Sequence, residues 1–254
     1  MAYKTCLIIG PDGSTQSHIH NLMGCFALAS TKERARMKLR SAIPEYFSWL
    51  RSHGEEVAIP TKPKLGIVQE LRIRGSPGDA GGPDPLLHCD RVAASHGDIT
   101  RCLRLLAYTR EDLLRLVSGL SKNALAWKRR REPRSVQDAL RHVAQVDIWY
   151  LSRIGVDPRL DKTKMKDIFT FLDYSRSLVR EALPDLTMAQ RANVFHLKKW
   201  SEKPYPWTGT KVLHRLVTHE RQHTNYLRRI LTLAVSSDSK SKIANQRVRY
   251  RTRG

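Results

Sequence analysis

Two histidines four residues apart, His219 and His223, and a third, His142, are the side chains whose type and spacing promise chemistry in this chain. Residues four apart on a helix stack on one face with Cβ atoms about 5–6 Å apart, so two imidazoles so placed can converge on one cation. Val212, Leu216, His219, His223, Tyr226, Ile230 and Leu233 follow alternating steps of four and three, the spacing of a core-facing helical seam, and both histidines occupy core positions in it. His142 shares a helical face with Ala139, Val146 and Trp149 and can also point inward. Three imidazoles from two helices make a nitrogen site with coordination positions left over for water or substrate, the mark of catalytic rather than structural zinc.

The string His219-Glu220-Arg221-Gln222-His223 also fits H-E-x-x-H, in which the glutamate is the general base of a metallopeptidase. That reading needs a third ligand downstream, and after His223 the chain offers no histidine, no glutamate and one carboxylate, Asp238. With the third ligand upstream instead, Glu220 stands about 100° of helix away from the seam and is expected to face solvent or to back the ligands from behind.

The elements that must position these residues fall into two textures. Tyr3–Ile9 and Ser14–Ile19 read as strands joined by Gly10-Pro11-Asp12-Gly13, a hairpin, with a third strand near Leu22–Ala27. Thr31 opens a helix carrying Ala35, Leu39, Ile43, Phe47 and Leu50 and ending at Gly54; Ile67–Ile73 forms another strand. The run Gly75-Ser76-Pro77-Gly78-Asp79-Ala80-Gly81-Gly82-Pro83 is the strongest break in the chain, and a domain boundary is expected between it and about Asp90. Beyond it come long helical patterns: Ile99 to about Ser121, Ser135 to Gly155 with a capping box at Ser135 and Asp138, Lys166 to Leu183, a short helix from Thr187, and Thr210 to about Val235 with Thr208 as N-cap. Four long helices with polar connections make a bundle.

Arg134 to Tyr150 (RSVQDALRHVAQVDIWY) and Tyr205 to Leu227 (YPWTGTKVLHRLVTHERQHTNYL) resemble the DinB-like four-helix-bundle superfamily, over roughly residues 95 to 236. That family's motif places one histidine in the second helix and an H-x-x-x-H pair in the last, which here correspond to His142, His219 and His223. The resemblance implies a divalent metal, zinc or nickel, and relatives that include S-transferases and isomerases using mycothiol, bacillithiol or glutathione. It does not fix the reaction. The first segment, PDGSTQSHIHNLMGCFALASTKERARMKLRSAIPEYFSWLRSHGE, is similar to HicB-like domains, a β-β-β-α-β module of antitoxins, without the DNA-binding element that accompanies it there. The fold class is therefore expected to be α+β: a HicB-like domain over residues 1–88, a DinB-like up-down bundle over 89–236, and a disordered basic tail over 237–254.

Charge and cysteines limit the function further. The chain carries 45 basic and 24 acidic residues, net +21. The excess lies beyond residue 90 and ends in a segment, 240–254, with six basic residues and none acidic. The alternating Arg247, Arg249, Arg251 and Arg253 could meet nucleic acid, though a solvated tail is favoured, since no aromatic platform or nucleic-acid fold accompanies them. Lys128-Arg129-Arg130-Arg131 reads as a solvated loop that can draw in an anionic thiol cofactor. Cys6, Cys25, Cys89 and Cys102 are scattered and expected to be reduced; Cys102 is a nucleophile candidate with no identifiable base. His18, His20, His53, His88, His96, His196 and His214 find no partner by spacing, and Trp149 and Tyr226 are expected to border any pocket. No apolar run is long enough to span a membrane, and no signal peptide opens the chain, so a cytoplasmic protein is expected. The leading expectation is a metal-dependent enzyme, a thiol-dependent S-transferase or a hydrolase of small-molecule substrates, with a homodimer compatible with it. The alternative is a non-catalytic, metal-stabilised protein that recognises a partner through the HicB-like module.

Overall fold

A computed structural model describes residues 2–78, 84–130, 132–196 and 205–251, the last stretch with side chains up to Leu233. Strands β1 (Tyr3–Ile9), β2 (Thr15–Ile19) and β3 (Phe26–Ala29) lead into helix α1 (Lys32–Ser52) and strand β4 (Leu65–Arg72). The sheet order is β3-β2-β1-β4: β1 and β2 pair antiparallel with Cys6 opposite His18, β2 and β3 pair antiparallel, and β4 returns parallel to β1 after the α1 crossover. Thr31 caps α1 by accepting from the Arg34 N–H, and its buried positions Ala35, Leu39, Ile43, Tyr46 and Leu50 recur at helical spacing. On β1, Cys6 and Ile8 pack against Leu87 and Cys89, at a 3-10 turn (Cys89–Arg91) that follows the sheet. Part of the break expected at Gly75–Pro83 lies outside the described residues.

Next come α2 (His96–Val117), the short α3 (Lys122–Ala126), α4 (Val136–Ser152), a 3-10 turn (Lys162–Met165), α5 (Ile168–Ala182), the short α6 (Met188–Ala192) and α7 (Gly209–Arg251). Capping boxes start α2, at Ser95 and Asp98, and α4, at Ser135 and Asp138. Thr208 caps α7 through the Lys211 N–H at 3.2 Å. Among the long helices, α7 packs on α2 and α4, and α4 packs on α5. α7 also runs on to Arg251, past the end expected at about Val235. Neither proline nor glycine interrupts the chain between Gly209 and Gly254, so nothing local stops the helix.

The sheet and the helices share one core. Ile19, Met23, Leu39, Ile43 and Tyr46 belong to the same buried cluster as Cys102, Leu105, Leu151, Val212 and Leu216. Two contacts draw the β2–β3 connection onto α7. The Arg221 guanidinium donates to the Gly24 carbonyl at 2.8 Å and lies over Trp49 and Tyr46, at 4.1 and 5.0 Å. Gly24 itself has φ +82°, and a Cβ there would meet Val217 Cγ1 at 2.8 Å, so only glycine lets the turn approach this closely. No helix among the described residues is long and apolar enough to cross a membrane.

Candidate metal centre

His142 on α4 and His219 and His223 on α7 meet at one point between the two helices. Their ring centroids lie 5.1, 4.9 and 4.4 Å apart, and one nitrogen from each falls within 4.8 Å of the other two. The Nε2 atoms of His142 and His219 are 3.3 Å apart. Two nitrogens bound at 2.0–2.1 Å in a tetrahedral shell stand about 3.3–3.4 Å from each other, so this pair already has the spacing of one edge of a zinc site. His223 Nδ1 is buried with no hydrogen-bond partner, and a cation is one way to satisfy it. The residues thus fit a divalent cation held by three neutral nitrogen donors with positions left open.

Electrostatics keeps the donors ready. Burial pulls His142 down to about 4, with the Arg134 cation adding to the effect. Burial pulls His223 down to about 3, helped by His142 and Arg134, and pulls His219 well below its ordinary value, helped by both neighbouring rings. At neutral pH all three rings are uncharged, the form that binds metals. Tyr150 stands edge-on to His219 at 5.9 Å and Tyr226 edge-on to His223 at 6.3 Å, while Trp207 packs on Tyr150 at 5.6 Å. Of the two expected border aromatics, Tyr226 touches the cluster, whereas Trp149 stands edge-on to Trp207 at 5.2 Å, one layer behind.

Glu220 is corrected. It is fully buried and turned away from the histidines, toward α2 and α5. Its carboxylate accepts from Thr109 Oγ1 at 2.5 Å, Arg110 Nε at 2.6 Å and Arg176 Nη2 at 2.6 Å. Both guanidiniums also reach Asp147 on α4 at 3.3 Å. Arg110 donates to the Leu172 carbonyl and Arg176 to the Leu106 carbonyl, so four helices are tied at one buried crossing. Burial opposes the charge on Glu220, but the two arginines and Thr109 outweigh it and hold the carboxyl down at about 2. Burial holds Asp147 up, against the same arginines. A carboxylate committed to two arginines is no general base, and the peptidase reading of H-E-x-x-H fails on this point.

This network was missed by sequence reasoning, though a signal was there. Arg110 falls between Leu106 and Leu113, Asp147 between Val143 and Tyr150, and Arg176 between Leu172 and Val179, each on the apolar face of its helix. Charged residues of both signs at seam positions of three packed helices should have been paired with one another, and with Glu220.

The other candidates separate. Cys102 is fully buried against the Leu213 carbonyl at 3.5 Å, and burial pushes its thiol up to about 12, which removes it as a nucleophile. Lys128 to Arg130 are exposed, as a solvated loop requires. His53 stacks on Tyr108 at 4.4 Å and His18 is buried beside Arg215, neither near the cluster. His214, which had no partner by spacing, lies beside Cys89 and Asp90.

Residues 105–227 match the family model of the DinB superfamily. The match takes in His142, His219, His223, Glu220 and both buried arginines. It leaves out the sheet and α1, about which it says nothing. No curated protein and no solved structure matches the chain.

Proposed function

We propose that this protein is a metal-dependent enzyme in which His142, His219 and His223 hold a divalent cation and a low-molecular-weight thiol or a water is the nucleophile toward a small electrophile. The observation that carries the reading is the convergence of three neutral imidazoles, one pair already 3.3 Å apart, on one point between α4 and α7. When bound, zinc or nickel supplies Lewis acidity that lowers the pKa of a coordinated thiol or water toward neutrality.

The chain's own residues do the rest. Three uncharged ligands leave the full charge of the cation available to an incoming anion, where carboxylate ligands would have spent it. Tyr150, backed by Trp207, and Tyr226 set aromatic surface against His219 and His223, which limits competition from water. Arg134 acts electrostatically on all three rings and so sets a positive potential over the cluster. That favours an anionic co-substrate, and a carboxylate-bearing thiol fits better than bare water. With Glu220 held by two arginines, its carboxylate is not offered as a base, and the proton released by a bound thiol would pass to solvent.

The HicB-like likeness of the first segment belongs to the same proposal. The strand and helix order is β-β-β-α-β, and we read it as a module built onto the helices, since Arg221 and Gly24 fasten the two together. In this reading the protein acts in the cytoplasm.

The test compares the parent protein with the His142→Ala, His219→Ala, His223→Ala triple variant. One equivalent of zinc or nickel lost in the triple variant, together with metal-dependent consumption of thiols by model electrophiles, supports the proposal. Equal metal content in both proteins removes the site. Bound metal without turnover on any thiol or ester leaves the non-catalytic, partner-binding alternative.

A further inference from the structure

A second group of metal-binding side chains lies outside the histidine cluster, where the 3-10 turn after the sheet meets the start of α7. We propose that Cys89, Asp90 and His214 form a separate thiolate-containing site for a zinc-like cation. Asp90 Oδ1 stands 3.9 Å from Cys89 Sγ and 3.7 Å from His214 Nδ1, and the three donor atoms all fall within 4.8 Å of one another. Bond lengths of about 2.3 Å to sulfur and 2.0–2.2 Å to nitrogen and oxygen give tetrahedral edges of about 3.6 Å for S···O and 3.4 Å for N···O. The observed spacings exceed these by a few tenths of an ångström, within reach of small side-chain rotations.

Turn capping explains half of Asp90. Its Oδ2 accepts from the Leu87 N–H at 2.9 Å. Its Oδ1 faces a thiol and an imidazole from inside the protein, with the residue 2% exposed. A carboxylate so deep calls for a cation, and Lys211 is engaged elsewhere, by the Asp84 and Pro206 carbonyls at 2.6 and 3.0 Å. Cys6, on β1, packs beside Cys89 in the same buried cluster, while the converging donors are one sulfur, one nitrogen and one oxygen. Thiolate with imidazole selects zinc over magnesium or calcium.

The surrounding backbone is fixed in advance. Thr208 Oγ1 donates to the Asp90 carbonyl and Thr210 Oγ1 to the Val92 carbonyl, so the turn is clamped to the first residues of α7 at two points. Coordination by these three donors would staple the turn to the start of α7. It leaves the histidine cluster to do the chemistry.

Cobalt(II) tests this on the full-length, reduced, metal-free protein, because thiolate ligation gives an intense near-ultraviolet charge-transfer band that an all-nitrogen site lacks. The expected result is two cobalt ions per chain and a charge-transfer band that survives in the His142→Ala, His219→Ala, His223→Ala variant. The band should be lost in Cys89→Ser and in His214→Ala. Cobalt binding to the parent without that band overturns the proposal before any variant is made, as does a band indifferent to both Cys89→Ser and His214→Ala. The three-histidine reading stands or falls separately, on the equivalent of metal lost in the triple variant.

Discussion

Replacing Glu220 with glutamine separates a fold role from a catalytic one. In the parent, the carboxylate receives three short hydrogen bonds, at 2.5, 2.6 and 2.6 Å, two of them from guanidiniums. Glutamine keeps one acceptor oxygen but turns an N–H group toward donors and removes the negative charge. Arg110 and Arg176 are then left with Asp147, 3.3 Å away, as their one shared carboxylate. Removing one partner from a buried ion pair costs about 3–5 kcal/mol, because a buried charge is left uncompensated. For a chain of this size that corresponds to a melting temperature lower by roughly 10 °C. The assay is urea unfolding of metal-free protein, followed by zinc titration of the fraction that remains folded. Stability should fall by the full amount while zinc affinity stays within a few-fold of the parent. Unfolding free energy within about 0.5 kcal/mol of the parent, the range of an ordinary surface substitution, combined with lost turnover, would refute the assignment and restore Glu220 as a catalytic base.

Proton titration of the metal-free protein by NMR should place His142 near 4 and His223 near 3. Both sit below the ordinary 6.5, so their contribution to stability is complete above that pH and is lost as pH falls toward 3; a titration near 6.5 for either ring would show it exposed. Glu220, held at about 2, adds a loss between its ordinary 4.5 and 2, so the urea midpoint should fall in two overlapping stages. Gly24→Ala should destabilise by more than the roughly 1–2 kcal/mol of a left-handed alanine, since its Cβ also meets Val217 Cγ1 at 2.8 Å; unchanged melting would mean that the turn does not rest on α7. Cys102, pushed up to about 12 by burial, should resist alkylation in native protein and react only on unfolding, and modification at the rate of a free thiol would contradict its packing.

The histidine site was legible because its signal is local. A four-residue step on an amphipathic helix places two imidazoles on one face, and a third histidine on another apolar face can then meet them inside. The first hairpin, the capping box of α4 and the order of the long helices were equally legible, since apolar period and cap chemistry act over a few residues, whereas β3 falls at Phe26–Ala29 rather than near Leu22–Ala27. What the sequence hid is long-range. Asp90 and His214 are 124 positions apart by number, and their meeting depends on how the turn docks on α7, through Thr208 and Thr210. The partners of Glu220 lie 110 and 44 positions upstream, in Arg110 and Arg176. Period marks each of these residues as inward-facing but does not say which inward-facing charge another will find.

Helix α7 makes this division of labour physical. At 100° per residue, His219 and His223 differ by about 40° and look toward α4, whereas Glu220, one step further on, swings by about 100° toward α2 and α5. Leu213 and Leu216 fill the core next to them, and His214, about 140° from His219, reaches back to the turn beneath the sheet. A helix that must face four neighbours has no exposed side over its first four turns, which is why Lys211, Arg215 and Glu220 are buried along with the leucines. Each of those charges is held by an opposite charge from a different element: Asp84 takes Lys211 and Arg215, and Arg110 and Arg176 take Glu220. The pairs fix the rotation of α7 about its own axis, since a turn of 100° would strand every one of them. A fixed rotation is what keeps two imidazoles aimed at His142, so the buried charges support the histidine cluster without touching it.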